Sequence, residues 1–163
     1  MREIKRIVTP IDFSDNTETI VRAAACIAGK FSAYLDFIFV VQKFEDYTAF
    51  FTPPANLPAM RDDLVNAAKE RMDAFIEKHK EELYALGVST VNGQVISGDI
   101  AEAIINYADW ADAQLIIMGT HGYKGFNRIV FGSVAERVVK TACCPVMTVN
   151  PYREECVNKP KQR

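Results

Sequence analysis

The sequence has few of the side chains that build metal centres and disulfide frameworks. It contains 4 cysteines and 2 histidines in 163 residues, and no two cysteines have the C-x-x-C spacing of a structural zinc site. Cys143 and Cys144 are adjacent, which leaves redox sensing open, although small apolar residues at a helix-to-strand junction are the simpler interpretation. We therefore expect free thiols and no metal held by the protein alone.

Long apolar runs and a strong excess of charge are also missing. No stretch is long enough to cross a bilayer, and the N-terminal residues lead directly into a strand without a signal-peptide core. The net charge of −2 gives no electrostatic reason to expect nucleic acid as a partner. These absences predict a cytoplasmic protein without a membrane partner. The length predicts one domain, residues 1–150, followed by a polar tail, residues 151–163.

Five short apolar runs alternate with helical patterns. The runs are Ile4 to Pro10, Leu35 to Val41, Val88 to Ile96, Gln114 to Met118 and Val146 to Val149. Helix starts are indicated by Asp15 with Glu18, Gly98 with Asp99, and Ser133 with Glu136. Residues 42–61 contain three prolines and are expected to precede a helix that runs from Asp62 to Leu86. This alternation predicts an α/β fold, a parallel sheet with helices on both faces, and a ligand site at the carboxyl ends of the strands.

The most informative segment follows the fourth strand. Gly119 and Gly122 come directly after that strand, and nine residues separate Gly122 from Gly132 and Ser133, where a helix begins. Glycine lets backbone N–H groups approach a ligand closely, and a helix N-terminus adds unpaired donors and partial positive charge. A single glycine of this kind would indicate only a tight turn, but the full spacing favours a phosphate-binding loop. Neither a G-x-G-x-x-G motif after the first strand nor a P-loop is present.

This glycine loop, together with the segments from Ile7 to Ser14 and from Cys144 to Val149, resembles the ATP-binding branch of the universal stress protein family. The resemblance runs from about Lys5 to Val149. It implies an open five-stranded, Rossmann-like parallel sheet of strand order 3-2-1-4-5. It also implies a nucleotide-responsive regulatory module in stress responses, dimeric through the strand from Val146 to Val149 and without fast catalysis.

The resemblance further implies which residues contact the nucleotide. Pro10, Ile11 and Asp12 would line the base and ribose, Val40 would touch the adenine, Met118 and Gly119 would lie beside the nucleoside, and Gly122, Gly132, Ser133 and Val134 would bind the phosphates. Gly98 would close one side of the pocket, or it forms a plain turn before a helix. His121 could meet a phosphate or stabilise the loop. From its position alone, Asp12 could also cap the first helical turn.

Catalytic groups are hard to assemble from this sequence. No carboxylate pair, Ser-His-Asp set or cysteine with a histidine partner stands out, and phosphate hydrolysis would need a metal and a residue that positions water. The expected cofactor is ATP with magnesium or manganese, and the expected turnover is slow or absent. The alternatives are a slow ATPase or nucleotidyl-transfer enzyme on the same scaffold, and an interaction module that binds no nucleotide.

Overall fold

The computed structural model describes residues 3–42, 57–120 and 133–151. In these ranges the elements are β1 (Arg6–Pro10), α1 (Thr17–Phe31), β2 (Tyr34–Gln42), α2 (Leu57–Ala85), β3 (Thr90–Gly98), α3 (Ile100–Trp110), β4 (Leu115–Gly119), α4 (Ser133–Thr141) and β5 (Val146–Val149). The strands form one sheet in the order β3-β2-β1-β4-β5, and all four pairings are parallel. The fold class and the strand order expected from the sequence are therefore confirmed.

Alternate residues of each strand face opposite helical layers, as the two-residue period of a strand requires. Leu35 and Phe37 of β2 pack on the side of α1 and α2, whereas Ile38 packs on the side of α3 and α4. Both sides of the central strands are buried, and this explains why these strands appear in the sequence as nearly continuous apolar runs. The edge strand β3 has a mixed burial pattern, in agreement with the alternation seen in its sequence.

Several element boundaries differ from those expected. Helix α2 begins at Leu57, so Pro58 lies in its first turn and not in the connection before it. Proline is tolerated there because the first-turn N–H groups have no partner within the helix. Helix α1 begins at Thr17, and its N-cap residue is Asn16, whose side chain makes no capping hydrogen bond. The cap expected at Asp15 was therefore wrong.

Two glycines set the contact between α1 and the turn from α2 to β3. Gly87 has a φ of +93°, a left-handed conformation that ends α2 close to the expected residue. A Cβ on Gly29 of α1 would lie 1.9 Å from the carbonyl oxygen of Leu86. The two backbones can approach this closely only because Gly29 has no side chain.

One charged side chain is fully buried in the sheet. Asp36 of β2 accepts hydrogen bonds from Arg6 Nη1 at 2.7 Å, Asn92 Nδ2 at 2.7 Å and the Tyr107 hydroxyl at 3.1 Å. Burial and the neighbouring carboxylate raise the pKa of Tyr107 to about 12. The guanidinium of Arg6 also lies 5.0 Å from the centroid of the Tyr34 ring. This polar cluster joins β1, β2, β3 and α3.

Candidate functional site

The strand order places a switch point between β1 and β4. It lies at the end of the sheet where the strands finish, which we call the carboxyl edge. β1 pairs with β2 along its whole length, and the amide of Ile11 adds a hydrogen bond to the Ile38 carbonyl at 2.9 Å. Its register with β4 covers only Ile7 and Val8. β4 instead continues with β5, where the amide of Thr120 donates to the carbonyl of Val149 at 2.9 Å. After β1 the chain leads to α1 on one face of the sheet, and after β4 it leads to α4 on the other face. Sheets of the α/β class bind ligands at such a switch point.

Nine of the residues expected to contact the nucleotide lie in described ranges, at the ends or starts of elements. Pro10 ends β1 and is followed by Ile11 and Asp12, Val40 lies near the end of β2, Gly98 ends β3, Met118 and Gly119 end β4, and Ser133 and Val134 begin α4. Because α4 connects two parallel strands, it runs antiparallel to them and begins at the carboxyl edge. Three further expected contacts, His121, Gly122 and Gly132, lie outside the described residues, as do residues 152–163 of the tail.

Asp12 makes local hydrogen bonds in the turn between β1 and α1. Its Oδ1 accepts from the amide of Ser14 at 3.0 Å, the hydroxyl of Ser14 at 2.6 Å and the hydroxyl of Thr17 at 3.2 Å. It therefore stabilises the start of α1 without being the N-cap residue. Within the described residues, all three of these bonds go to Oδ1 of the carboxylate.

The residue after Asp12 has an uncommon backbone conformation. Phe13 has a φ of +56°, in the left-handed region that large side chains rarely adopt. Its ring lies 4.9 Å from that of Phe39 and 5.9 Å from that of Phe75, measured between centroids. The guanidinium of Arg71 lies 4.7 Å from the Phe13 ring centroid, and Arg71 Nη2 donates to the Phe13 carbonyl at 3.3 Å. Contacts from β2 and α2 therefore hold this turn.

Neither the backbone conformation nor the described neighbours of Gly98 require glycine at this position. Its φ is not in the left-handed region, and an added Cβ would meet only the Cβ of Ala103, at an ordinary distance of 3.7 Å. Asp99 follows it as the N-cap of α3, and its side chain accepts from the amide of Glu102 at 3.0 Å. The helix start expected at Gly98 and Asp99 is confirmed, and Gly98 itself is the last residue of β3 and not part of a separate turn.

Helix α4 is tied to the start of α3 by charge. Arg137 Nη1 lies 2.9 Å from Asp99 Oδ1, and Arg137 Nη2 lies 2.7 Å from Glu102 Oε1. These contacts join the helix that follows the glycine loop to the residue after Gly98. Glu136, whose spacing from Ser133 indicated the start of α4, is paired with Lys140 at 2.6 Å, and this pair lowers the pKa of Glu136.

Sequence reasoning missed the local partners of Asp12 and the contacts around Phe13. The spacing of Asp12, Ser14 and Thr17 is typical of local side-chain turns at helix starts, and it could have indicated the first set. The second set could not have been found from local sequence, because Phe39 and Arg71 reach Phe13 from distant elements.

The described residues also bear on metal binding, membrane insertion and cysteine chemistry. In the ranges 3–42, 57–120 and 133–151, no three His, Cys, Asp or Glu side chains gather to hold a metal ion. No helix in the same ranges combines the length and apolar character needed to cross a membrane. Cys26, Cys143 and Cys144 are free thiols, and burial raises the pKa of Cys144.

Comparison with known proteins identifies relatives over nearly the whole chain. The model of the universal stress protein family matches residues 3–150. Universal stress protein MJ0531 of Methanocaldococcus jannaschii is 35% identical over 151 residues, which cover 93% of this chain and 85% of the relative.

Solved structures have the same fold. UspA from Lactobacillus plantarum aligns with a TM-score of 0.76 at 22% identity, over 92% of this chain and 100% of that one. A universal stress protein in complex with cAMP aligns with a TM-score of 0.62 at 20% identity, over 92% and 99% of the two chains. The universal stress protein from Archaeoglobus fulgidus in complex with dAMP aligns with a TM-score of 0.59 at 22% identity, over 91% and 100%.

Proposed function

The chain belongs to the universal stress protein family, and from this premise we propose that it binds ATP at the carboxyl edge of its sheet. The observation that carries the proposal is the switch point between β1 and β4, with Asp12 two residues past the end of β1 and Gly119 at the end of β4. We propose that the protein responds to the nucleotide as a regulatory module in a cytoplasmic stress response.

Two observations favour an adenine nucleotide over other ligands. Structures of the same fold were solved in complex with cAMP and with dAMP, and both molecules contain adenine. In this chain, Gly98 at the end of β3 presents no side chain beside the β2 end that carries Val40, and an added Cβ there would meet only Ala103 among the described residues, at 3.7 Å. The base and ribose would lie along Pro10, Ile11, Asp12, Met118 and Gly119.

The phosphates are assigned to the loop and helix that follow β4. Three glycines at the family spacing precede α4, which begins with Ser133 and Val134. Backbone N–H groups at a helix start attract anions. Magnesium or manganese would arrive with the triphosphate, because magnesium is commonly held by phosphate oxygens and water with few protein ligands.

We also propose a homodimer through β5. This strand is the last in the sheet order and pairs with β4 on one side. Its residues are apolar or neutral, and Met147 is 38% exposed. An unpaired apolar edge invites pairing with a second copy.

Slow or absent turnover is part of the proposal, and a slow ATPase or nucleotidyl-transfer enzyme is the second candidate. The sequence offers no evident base or water-positioning residue for hydrolysis, which requires both positioning and a metal. Steady-state turnover of ATP by the pure protein should stay well below the ~10 s⁻¹ typical of enzymes. Turnover of several per second would favour the enzyme.

Calorimetric titration of the purified protein with ATP, with and without magnesium, tests the binding site. GTP and inorganic phosphate serve as comparison ligands. Gly132→Val should weaken ATP binding at least tenfold, about 1.4 kcal/mol, because a branched side chain would block the approach of the phosphates. Ser89→Ala, in the exposed turn before β3 at the opposite edge, is the matched control. If the wild-type chain binds no adenine nucleotide, the proposal fails.

A further inference from the structure

The carboxylate of Asp12 is held asymmetrically. All three of its hydrogen bonds within the described residues go to Oδ1, from the Ser14 amide, the Ser14 hydroxyl and the Thr17 hydroxyl. Thr17 is buried in the first turn of α1, so its hydroxyl is a fixed donor. Among the described residues, Oδ2 receives no hydrogen bond. The carboxyl group is half-buried two residues past the end of β1, and no described residue donates to its second oxygen.

The backbone that carries this carboxylate is also fixed. Phe13 is held in the left-handed conformation by its packing on Phe39 and Phe75, and Arg71 binds both its ring and its carbonyl. Conformations of this kind persist only where the surroundings impose them, and they concentrate at ligand sites. The hydrogen bonds from Ser14 and Thr17 therefore fix the side chain of Asp12, and the packing of Phe13 fixes the backbone beside it.

We infer that Ser14 and Thr17 are positioning residues, which hold Asp12 so that Oδ2 is a pre-oriented acceptor for a hydrogen-bond donor of the bound nucleoside. The inference rests on the proposed function. The donor is either the exocyclic amine of adenine or a ribose hydroxyl, since both present an N–H or O–H to a carboxylate. Pre-orientation increases affinity because the carboxylate loses no rotational freedom when the ligand binds.

Affinity measurements on a set of variants and nucleotide analogues test this inference. The variants are Ser14→Ala, Thr17→Val and the double variant, with Thr17→Ser as the conservative replacement that keeps the hydroxyl. The ligands are ATP, inosine triphosphate, which lacks the amine, and the 2′-deoxy and 3′-deoxy forms of ATP. We expect each single variant to bind ATP about threefold more weakly and the double variant about tenfold more weakly, since each removes one hydrogen bond to a charged group. Thr17→Ser should restore most of the affinity.

The analogues separate positioning from a general structural effect. The wild-type chain should bind the analogue that lacks the donor more weakly than it binds ATP. For that analogue, the double variant and the wild type should have the same affinity. A merely structural role would instead lower the affinity for all four ligands by the same factor, and this result would overturn the inference. Ser89→Ala and Thr90→Val, at the opposite edge of the sheet, should change nothing.

The failures of the two proposals can be told apart. If the wild type binds ATP but the double variant binds it equally well, only the positioning role is overturned. The same conclusion holds if the wild type does not distinguish ATP from any of the three analogues. If the wild-type chain binds no nucleotide, the proposed function fails, and the positioning role fails with it. Thermal unfolding of every variant identifies any that do not fold. Ser14→Ala keeps the hydrogen bond from its backbone amide to Asp12, so this variant then remains as a test.

Discussion

Replacing Gly98 by alanine should separate the proposed nucleotide site from the stability of the fold. The added methyl group would contact only Ala103 among the described residues, at 3.7 Å, and the backbone φ is acceptable for alanine. Alanine at such a position restricts the unfolded chain, so the free energy of unfolding should rise by about 0.5 kcal/mol. If ATP lies against Gly98, the same methyl group overlaps it, and the affinity should fall about tenfold, or 1.4 kcal/mol.

Two measurements on the same preparation check this prediction. Urea unfolding gives the change in stability, and calorimetric titration with ATP gives the change in affinity. Unchanged affinity would show that Gly98 does not contact the nucleotide. A loss of stability greater than about 1 kcal/mol would refute the packing argument, because ordinary surface substitutions stay within about 0.5 kcal/mol.

Four further changes test other parts of the structure. Gly29→Ala should destabilise the fold by about 2 kcal/mol in urea unfolding, because the backbone clash costs about 3 kcal/mol and the helix propensity of alanine returns about 1 kcal/mol. Thr9→Val should stabilise it by about 1 kcal/mol, because the buried Thr9 hydroxyl has no partner among the described residues. Met147→Lys should shift the protein to monomer in light scattering at micromolar concentration. Absorbance titration should detect one tyrosine with a pKa of about 12, which Asp36→Asn lowers and Tyr107→Phe removes.

The tyrosine prediction has a defined sign for stability. The pKa of Tyr107 is raised in the folded state, so the folded protein holds this proton more tightly than the unfolded chain does. Its contribution is fully present below pH 10 and is lost as the pH rises toward 12. If the wild type and Tyr107→Phe lose stability equally over this range, the assignment is wrong. The other three predictions are contradicted by the opposite results. These are a gain of stability in Gly29→Ala, a loss of stability in Thr9→Val, and a dimer that persists in Met147→Lys.

Much of the fold could be predicted from local sequence because burial imposes a pattern on each element. The continuous apolar run in β4 and the spaced apolar residues of α3 specify a buried strand and an amphipathic helix. The strand order does not follow from such patterns, since it depends on pairings between distant segments. That order came only from the family resemblance.

The candidate site was predictable in its location but not in its detailed geometry. Asp12 and Gly119 were expected at the carboxyl edge because they follow apolar runs in a predicted parallel sheet. The left-handed conformation of Phe13 was not expected, since intrinsic preference disfavours it. The aromatic ring of Phe39 and the guanidinium of Arg71 impose it from β2 and α2, and a local window of sequence contains neither contact.

The buried cluster around Asp36 has a consequence for how the strands find their alignment during folding. A slip of β2 by one residue would turn Asp36 toward the apolar layer of α1 and α2 and would leave it without Arg6, Asn92 and Tyr107. An uncompensated buried carboxylate costs several kcal/mol, so misaligned sheets are penalised strongly. The apolar neighbours of Asp36 would tolerate such a slip far better. One carboxylate at the amino end of the sheet therefore selects the alignment in which Pro10, the last residue of β1, lies opposite Ile38 of β2.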